Sequence, residues 1–347
     1  MNEDALVNAW SLIKSHATRP LRIMEVCGTH THEIFRLGVR SLLPETITLV
    51  SGPGCPVCVS PVSFIDEAIY LALEKKVCIA TFGDLIRVPG SQMSLGHARQ
   101  KGARIEIVYS PLDALEIARR DKGEVVFLSV GFETTVPGEC LALIQAKEEG
   151  IENFSLLTAN KTMPKAYEAL AGSCDAFLYP GHVMAITGTE TGERLASQGI
   201  SGVVAGFTAL EIVTALAAIV VSTAKGSPFF INCYPRVVTR EGNRSAQELI
   251  ARCMRPCDSE WRGLGVIPGS GLTLAQDFAS MDARVRFSIP KHTGRAHPRC
   301  RCGDILRGLA KPTDCTLYGR ACTPDHPAGA CMVSSEGTCA AYFQYGE

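Results

Sequence analysis

The sequence predicts an α/β protein with two lobes, whose parallel sheets and crossover helices face a cleft, followed by a small loop-rich C-terminal domain. Short apolar segments typical of buried strands alternate with longer segments in which apolar residues recur at helical spacing. Such alternation is typical of parallel sheets with crossover helices. It pauses at Lys122-Gly123 and begins again, and prolines and glycines interrupt it in the cysteine-rich tail between Cys300 and Cys339. We therefore expect three domains, over residues 1–122, 123–235 and 236–347.

The predicted elements follow from this alternation. Residues 1–20 have the pattern of an amphipathic first helix. Strands are expected at 21–26, 46–51, 77–81 and 103–109 in the first lobe, and at 125–130, 154–158, 176–179, 202–205 and 229–233 in the second. Helices are expected at 33–40, 61–75 and 94–100, and then at 137–149, 164–171, 189–198 and 210–223.

Composition excludes several classes of protein. The 347 residues include 34 Lys and Arg and 35 Asp and Glu, so the net charge of −1 favours neither nucleic acid nor a membrane surface as a partner. Residues 1–20 contain no apolar core of signal-peptide type, and the most apolar segment, 203–224, is interrupted by Glu211 and several hydroxyl residues. We expect a cytoplasmic protein whose 15 cysteines serve metal or redox chemistry rather than a disulfide scaffold.

The first stretch with chemistry is Cys27-Gly28-Thr29-His30-Thr31-His32, between a predicted strand and a predicted helix. Open α/β sheets bind ligands at the carboxyl ends of their strands. A thiol in a turn that opens a helix faces backbone N–H groups, which favour the thiolate. A thiolate beside imidazoles binds a transition metal or attacks an electrophile. Cys27 and His30 are therefore candidate site residues, and the alternative is a buried cysteine beside two surface histidines.

A second turn, Gly52-Pro53-Gly54-Cys55-Pro56-Val57-Cys58, also follows a predicted strand. Cys-x-x-Cys is the spacing of dithiol redox sites and of half a metal site. A zinc site needs a second pair of ligands, which Cys27 and His30 supply only if the two turns lie together, whereas a redox pair needs nothing further. We expect Cys55 and Cys58 to be reactive, and two structural cysteines in a tight loop are the alternative.

Three further loops place polar side chains at strand ends. Asp84 and Arg87 follow one predicted strand, Glu133 follows another, and His182 follows a third. Each is a weak indication, since many loop charges are only solvated, but together they suggest a polar cleft in which Asp84 and Glu133 are candidate catalytic residues. None of the loops has the glycine pattern of a phosphate-binding loop, so no nucleotide site is expected.

The C-terminal segment holds six cysteines: Cys300, Cys302, Cys315, Cys322, Cys331 and Cys339. Prolines and glycines interrupt any periodicity, so the segment buries little apolar surface and needs a metal or covalent crosslink. Few histidines lie nearby, which favours an iron–sulfur cluster over a mixed Cys/His zinc site. Four thiolates suffice for a [4Fe–4S] cluster, which leaves two of the six, and structural zinc is the alternative.

Six motifs stand in this order along the chain: Cys27-Gly-Thr-His-Thr-His32, Gly52-Pro-Gly-Cys-Pro-Val-Cys58, Thr81-Phe-Gly-Asp84 with Arg87-Val-Pro-Gly-Ser91, Gly131-Phe-Glu-Thr-Thr135, Pro180-Gly-His182 and Cys331-Met-Val-Ser-Ser-Glu-Gly-Thr-Cys339. Together they resemble the motif set of the HypD family of hydrogenase maturation factors. The resemblance covers nearly the whole chain, and no motif residue is missing.

The resemblance implies a redox-active scaffold for assembling the Fe(CN)2CO moiety of [NiFe]-hydrogenases, rather than a conventional turnover enzyme. It implies that Cys27 binds the iron with His30 nearby, and that Cys55 and Cys58 form a redox-active pair. It also implies a [4Fe–4S] cluster on four tail cysteines and a further disulfide-capable pair, much as in ferredoxin:thioredoxin reductase. The four are Cys300, Cys315, Cys322 and Cys339, and the pair is Cys302 and Cys331.

The resemblance further implies two partners, the small chaperone HypC and the cyanide donor HypE. HypC contributes its own N-terminal cysteine to the iron, and HypE carries a thiocyanate made from carbamoyl phosphate with HypF. Releasing cyanide reductively takes two electrons, which a cluster beside a dithiol can supply. Two other functions stay open from the sequence. One is a stand-alone iron–sulfur thiol–disulfide oxidoreductase acting on a protein disulfide, which leaves Cys27, His30 and His32 without a role; the other is a zinc-stabilised interaction module.

Overall fold

The structure, a computed structural model, describes residues 2–346. The strands are β1 (Leu21–Glu25), β2 (Ile47–Ser51), β3 (Cys78–Thr81), β4 (Ile105–Ile107), β5 (Val125–Ser129), β6 (Phe154–Thr158), β7 (Ala176–Pro180), β8 (Gly202–Ala205), β9 (Phe230–Asn232), β10 (Met254–Trp261) and β11 (Gly265–Leu274). The first nine correspond to the nine predicted strands, and the predictions for β6 and β8 agree residue for residue.

The helices lie between these strands and in the C-terminal segment. They are α1 (Asn2–His16), α2 (Gly28–Arg36), α3 (Val39–Leu42), α4 (Pro56–Val59), α5 (Val62–Leu73), α6 (Leu95–Gln100), α7 (Pro111–Arg120), α8 (Val136–Glu148), α9 (Met163–Ala169), α10 (Gly181–Thr187), α11 (Glu190–Ser197), α12 (Ala209–Thr223), α13 (Arg244–Cys253), α14 (Ala283–Arg286), α15 (Cys302–Leu306) and α16 (Thr338–Tyr345). The predicted elements omit α7, although Ser110 and Asp113 form a capping box at its start.

Two parallel sheets confirm the predicted α/β class. The larger sheet has the strand order β2-β1-β7-β8-β9 and the smaller sheet has the order β4-β3-β5-β6. Every strand pair in both sheets is parallel, so the carboxyl ends of the strands in each sheet lie at one edge. The cleft between two lobes stays a prediction.

Sheet membership does not follow the boundary predicted at residue 122. The larger sheet joins β1 and β2 to three strands that lie more than a hundred residues later, and the smaller sheet takes two strands from each side of residue 122. Alternation along a sequence predicts strands but not their partners, because it carries no information on which crossover returns to which sheet. The three residue ranges as folding units stay a prediction.

Both sheets are covered on their two faces, as buried parallel sheets require. One face of the larger sheet, including Ile23, packs against α1 and α12 through apolar residues such as Leu216. The opposite face presents Met24 and Phe177 to a core that also contains Met332 and several cysteines of the C-terminal segment. The C-terminal segment is therefore built into the core of the larger sheet.

The antiparallel hairpin of β10 and β11 was not predicted. Its strands contain Pro256, Pro268 and three glycines, which interrupt a strand pattern and are typical of turns. The hairpin spans both halves of the protein, because Trp261 belongs to the core beside the larger sheet and Leu272 to the core beside the smaller one. It thereby fixes the two sheets relative to each other.

The segment after residue 287 is irregular, apart from α15, α16 and two short 3-10 helices. This agrees with a loop-rich C-terminal region, held in place because α16 packs on α2 and because Ala330 and Val333 enter the core of the smaller sheet. Within residues 2–346, no helix is both long enough and apolar enough to cross a membrane.

Candidate functional site

Two cysteine-bearing turns meet at the carboxyl edge of the larger sheet. Strands β1 and β2 are parallel neighbours in register, so their ends lie side by side, and Cys27 and Cys55 each stand immediately before the helix that follows. The Gly28 N–H donates a hydrogen bond to the Gly54 carbonyl at 3.0 Å. A Cβ on Gly54 would lie 2.1 Å from the Cys27 nitrogen, so this close approach requires glycine. The two turns thus form one site.

Cys27 is buried, and its thiol lies 3.9 Å from Nε2 of His182. Burial raises the pKa of Cys27 to about 12, although the N–H groups of His30 and Thr29 act in the opposite direction. The expected free thiolate is therefore wrong, because desolvation of the charge exceeds the stabilisation by the helix start. A bound metal ion reverses this balance, since a coordinating thiol is deprotonated outright.

The imidazoles of His30, which is buried, and His182, which is partly buried, adjoin Cys27 together with one phenyl ring. The Nε2–H of His30 donates to the Gly206 carbonyl at 2.8 Å, which leaves its Nδ1 unprotonated and without a hydrogen-bond partner among the described residues. His30 and His182 both stack on Phe207, with ring centroids 4.7 Å and 5.2 Å away. Burial lowers the pKa of each histidine to about 4. Both imidazoles are therefore neutral at pH 7 and able to donate an electron pair to a metal.

The C-terminal segment closes the Cys27 turn on another side. The Thr29 hydroxyl donates to Glu336 at 2.7 Å, and a Cβ on Gly28 would lie 2.6 Å from the Glu336 Cβ. His32 contacts the same segment, with its Nε2 3.1 Å from the Tyr345 hydroxyl. Glu336 was not among the predicted site residues, although it lies within a quoted motif, because nothing local connects positions 27 and 336.

The second turn faces sulfur rather than polar groups. Cys55 and Cys58 are buried, and the Cys55 thiol accepts a hydrogen bond from the Cys58 N–H at 3.3 Å. The Cys58 thiol points toward the C-terminal segment, where it interacts with Cys331 and lies 4.0 Å from the Ala330 carbonyl. Burial, followed by the neighbouring thiols of Cys331 and Cys55, raises the pKa of Cys58. The dithiol is thus directed at the tail cysteines.

All six tail cysteines line one cavity, together with apolar side chains such as Ile305, Leu317 and Met332. The sulfur atoms of Cys302 and Cys331 are 2.9 Å apart. No three His, Cys, Asp or Glu side chains within residues 2–346 converge on a single metal ion. A [4Fe–4S] cluster has another requirement, since its cysteines surround a cluster of irons, and this set of thiols in an apolar cavity fits that requirement.

Comparison with known proteins identifies the family. A model of the HypD family, described as "Hydrogenase formation hypA family", matches residues 5–346. The chain belongs to the HypD family. Among its relatives, "Hydrogenase maturation factor HypD" of Cupriavidus necator is 44% identical over 338 residues, which cover 93% of this chain and 89% of the relative. The proteins of the same name from Escherichia coli and Rhodobacter capsulatus are also 44% identical, over 95% and 96% of this chain and 90% and 92% of theirs.

In this HypD-family chain, the predicted loop residues of the smaller sheet have different environments. The Arg87 guanidinium donates to the carbonyls of Pro324 and Val333, both at 3.1 Å, so it ties the C-terminal segment to the smaller sheet. Asp84 lies half-buried in the 3-10 helix Gly83–Arg87. No hydrogen bond within residues 2–346 joins either residue to Cys27, and a catalytic role for Asp84 stays a prediction.

Glu133 is buried, and one carboxyl oxygen accepts the Met163 N–H at 2.8 Å. Its other oxygen has no hydrogen-bond partner among the described residues, and neither do the hydroxyls of Tyr167 and Tyr179. Burial raises the pKa of Glu133 to about 7. Tyr167 packs on Tyr179, with ring centroids 4.8 Å apart, and burial, followed by the neighbouring groups of Glu133, Tyr179 and Cys27, raises the pKa of Tyr167. The two tyrosines were not predicted, since buried aromatic residues usually belong to the core.

Proposed function

We propose that this chain is a hydrogenase maturation factor on which the Fe(CN)2CO moiety is assembled. It acts as a redox-active scaffold for a metal centre rather than as a conventional turnover enzyme. One observation carries the proposal: a continuous series of thiols runs from the tail cavity through Cys331 to Cys58, and the dithiol turn contacts the Cys27 turn through a 3.0 Å hydrogen bond. This arrangement joins an electron source to a metal-binding thiol.

Cys27 binds the incoming iron, jointly with the N-terminal cysteine of a HypC-type chaperone. Low-spin ferrous iron that carries cyanide and CO suits soft thiolate ligands. Iron binding removes the thiol proton despite the raised pKa of Cys27, because metal binding and deprotonation are linked. His182, whose Nε2 lies 3.9 Å from the Cys27 sulfur, orients the iron or its ligands, while the free Nδ1 of His30 supplies a second lone pair.

Cys55 and Cys58 supply electrons for cyanide transfer from HypE. A protein thiocyanate accepts two electrons as its S–C bond breaks, which yields a thiolate and cyanide. The two thiols lose two electrons and two protons as the bond between Cys55 and Cys58 forms. Their proximity, with the Cys58 N–H directed at the Cys55 sulfur at 3.3 Å, supports a short dithiol loop that alternates between the two states.

A [4Fe–4S] cluster on Cys300, Cys315, Cys322 and Cys339 completes the proposal. When bound, the cluster supplies single electrons at low potential. Cys302 and Cys331 remain as the disulfide-capable pair, and this division is supported by their 2.9 Å separation and by the contact of Cys331 with Cys58. This pair therefore lies between the cluster ligands and the dithiol.

The two other functions considered from the sequence leave buried groups without a role. A stand-alone iron–sulfur thiol–disulfide oxidoreductase uses the tail and the dithiol but not the partly buried His182–Cys27 pair. A zinc-stabilised interaction module uses neither the dithiol nor the free Nδ1 of His30. Both functions are less consistent with the packing of the two turns into one site.

Infrared spectroscopy separates these functions. The chain is produced with a HypC-type chaperone under anaerobic conditions, and the complex is purified through a tag on the chaperone. We expect metal-bound CO and CN⁻ bands together with iron. The chain produced without HypE is the matched control, and its CN⁻ bands should be absent. Iron–sulfur absorption without either set of bands in the complete system would favour the simple oxidoreductase.

Tail variants test the cluster independently of maturation. Cys315→Ala, Cys322→Ala and Cys339→Ala should each bleach the visible absorption and lower solubility, because cluster binding is part of the folding free energy of this segment. Cys300→Ala should do the same if it is the fourth ligand, whereas Cys302→Ala should retain the absorption. Anaerobically purified protein with stoichiometric zinc and no iron would contradict the cluster.

A further inference from the structure

A basic stretch precedes the tail cysteines. Residues 283–303 contain six Lys and Arg and no Asp or Glu, in a chain whose net charge is −1. Three of the six are neutralised, since Arg284 pairs with Glu67, Arg286 with Glu124 and Arg301 with Asp304. The other three side chains are exposed and form no ion pair within residues 2–346. These three are Lys291, Arg295 and Arg299.

The segment that carries them, residues 291–299, is named here the basic strap. The protein holds its backbone at several points. The Arg295 N–H donates to the Ser91 hydroxyl at 2.8 Å, and the His292 ring lies 5.6 Å from that of Tyr70. A Cβ on Gly294 would lie 2.3 Å from the Ser63 nitrogen, so the strap runs directly against the start of α5. A fixed backbone presents its cations without a large ordering cost on binding.

The strap ends at the cysteine-lined cavity. Arg299 directly precedes Cys300, and its carbonyl accepts a hydrogen bond from the Cys315 thiol at 3.8 Å. Cys300 itself is only partly buried. A protein docked on the strap therefore lies at the edge of the cavity that holds the tail cysteines.

We propose that the basic strap is the docking surface for an acidic one-electron carrier protein, which reduces the tail cluster. This inference rests on the proposed function, because it assumes a redox group in the cavity. Two reduced carriers each lose one electron. The disulfide of Cys55 and Cys58 accepts both electrons and two protons, and its S–S bond breaks to give two thiols.

Charge complementarity and position favour this partner over nucleic acid. Complementary charges accelerate the encounter of redox proteins, whose interfaces are small and transient. Lys291 and Arg299 are eight residues apart, so even a fully extended strap separates them by at most about 28 Å, a span that one small protein can cover. Nucleic-acid binding depends on neutralising many phosphates, and the strap offers only three free cations. The strap ends at Cys300, which is partly buried, and this position at the edge of the cavity suits an electron carrier.

The test uses the full chain, purified anaerobically, and a reduced plant-type ferredoxin as the acidic probe. The strap variant carries Lys291→Glu, Arg295→Glu and Arg299→Glu. The matched control carries Lys101→Glu, Arg120→Glu and Lys122→Glu, which change the net charge equally at exposed positions outside the strap without an ion pair within residues 2–346. Stopped-flow absorption gives the rate of electron transfer at several salt concentrations, and titration with oxidised ferredoxin gives the affinity.

We expect the strap variant to lose about tenfold in rate and in affinity at low salt, and most of the salt dependence, because electrostatic steering acts on association. The control should stay within about twofold of the native chain by the same argument. Dithionite should reduce all three proteins equally. Equal losses of rate and affinity in both variants, or no loss in the strap variant, would contradict the proposal that the strap is a docking surface.

Two further outcomes separate the inference from the proposed function. If dithionite reduces no group in the native chain, the proposed cluster is wrong, while the ferredoxin titration still reports on the strap. If a DNA duplex binds the strap as tightly as ferredoxin and displaces it, the strap is a general polyanion site and the inference is wrong.

Discussion

The Cys27 turn and the Cys55 turn begin from the same geometry and have different surroundings. Each follows a strand of the larger sheet, each places its cysteine before a helix, and each cysteine is buried. Cys27 is surrounded by imidazoles and by Glu336, whereas Cys55 and Cys58 face other thiols. A strand end positions a thiol, but the segments that pack over it determine which chemical groups surround it.

The sheet order explains this difference. Strand β7 lies beside β1 on the side away from β2, so the helix after β7 brings His182 to Cys27 and not to Cys55. The 3-10 helix Ala330–Met332 places Cys331 against α4, which carries Cys58. Each turn therefore receives its chemical character from a different part of the chain.

Replacing Cys27 has the largest expected effect. Cys27→Ala should remove the CO and CN⁻ infrared bands from the chaperone complex and leave the visible absorption of the tail unchanged. The lost sulfur is buried, so stability should fall by only about 1 kcal/mol. Cys27→Ser should lose the bands as well, because a hydroxyl is a hard ligand and scarcely ionised at neutral pH. Bands of full intensity in either variant would show that Cys27 does not bind the iron, and Cys55 and Cys58 would become the candidate ligands.

The dithiol variants should separate the two turns. Cys55→Ser and Cys58→Ser should each abolish hydrogenase maturation while the iron–sulfur absorption persists, because a single thiol cannot supply two electrons through a disulfide. Cys233→Ser changes a half-buried cysteine outside the site and serves as the control, with maturation expected to be retained. Maturation at the native level in either dithiol variant would make the pair structural.

The sequence was a good guide to local structure and a poor one to contacts between distant parts of the chain. Strand β6 was predicted to the residue because its apolar residues Phe154, Leu156 and Leu157 directly follow the polar residues Glu152 and Asn153. The approach of His182 and Glu336 to Cys27 depends on the strand order and on the path of the tail. Neither the strand order nor the path of the tail has a signal in the local sequence, since Cys27, His182 and Glu336 lie more than 150 residues apart.

The expected thiolate at Cys27 shows a second limit of sequence reasoning. The position before a helix was predicted correctly, and its N–H groups do favour the charged form. The burial of that position was expected only in the alternative interpretation, and it arises from the packing of Gly54 and Glu336 against the turn. Desolvation then determines the pKa.

The histidines should give intermediate effects that rank by their contacts. His182→Ala should weaken the infrared bands most, because its Nε2 is 3.9 Å from the Cys27 sulfur. His30→Ala should weaken them less, since its Nε2 is engaged with the Gly206 carbonyl. Losing a residue that orients a metal ligand usually lowers metal affinity about 10- to 100-fold. His32→Ala is the control, and a loss there equal to that of His182→Ala would contradict the ranking.

Replacing Glu133 should have the smallest effect on the iron site. Its expected effect is a change in how folding stability depends on pH. Burial raises the pKa of Glu133 from 4.5 to about 7, so between these values the unfolded chain has lost a proton that the folded chain keeps. The free energy of unfolding therefore falls as pH rises through this window, by about 3 kcal/mol for one such carboxyl. The histidines act in the opposite direction, because their lowered pKa values destabilise the fold as pH falls from 6.5 toward 4.

Glu133→Gln removes only the carboxyl contribution. Relative to the native chain, the variant should gain about 3 kcal/mol of stability between pH 4 and pH 8, whatever constant cost the amide adds at all pH values. Urea unfolding at several pH values measures this difference. Glu45→Gln at an exposed position is the control and should show no such gain. An unchanged pH profile in Glu133→Gln would mean that Glu133 is ionised in the fold, and that the polar group around Tyr167 and Cys27 carries a full negative charge.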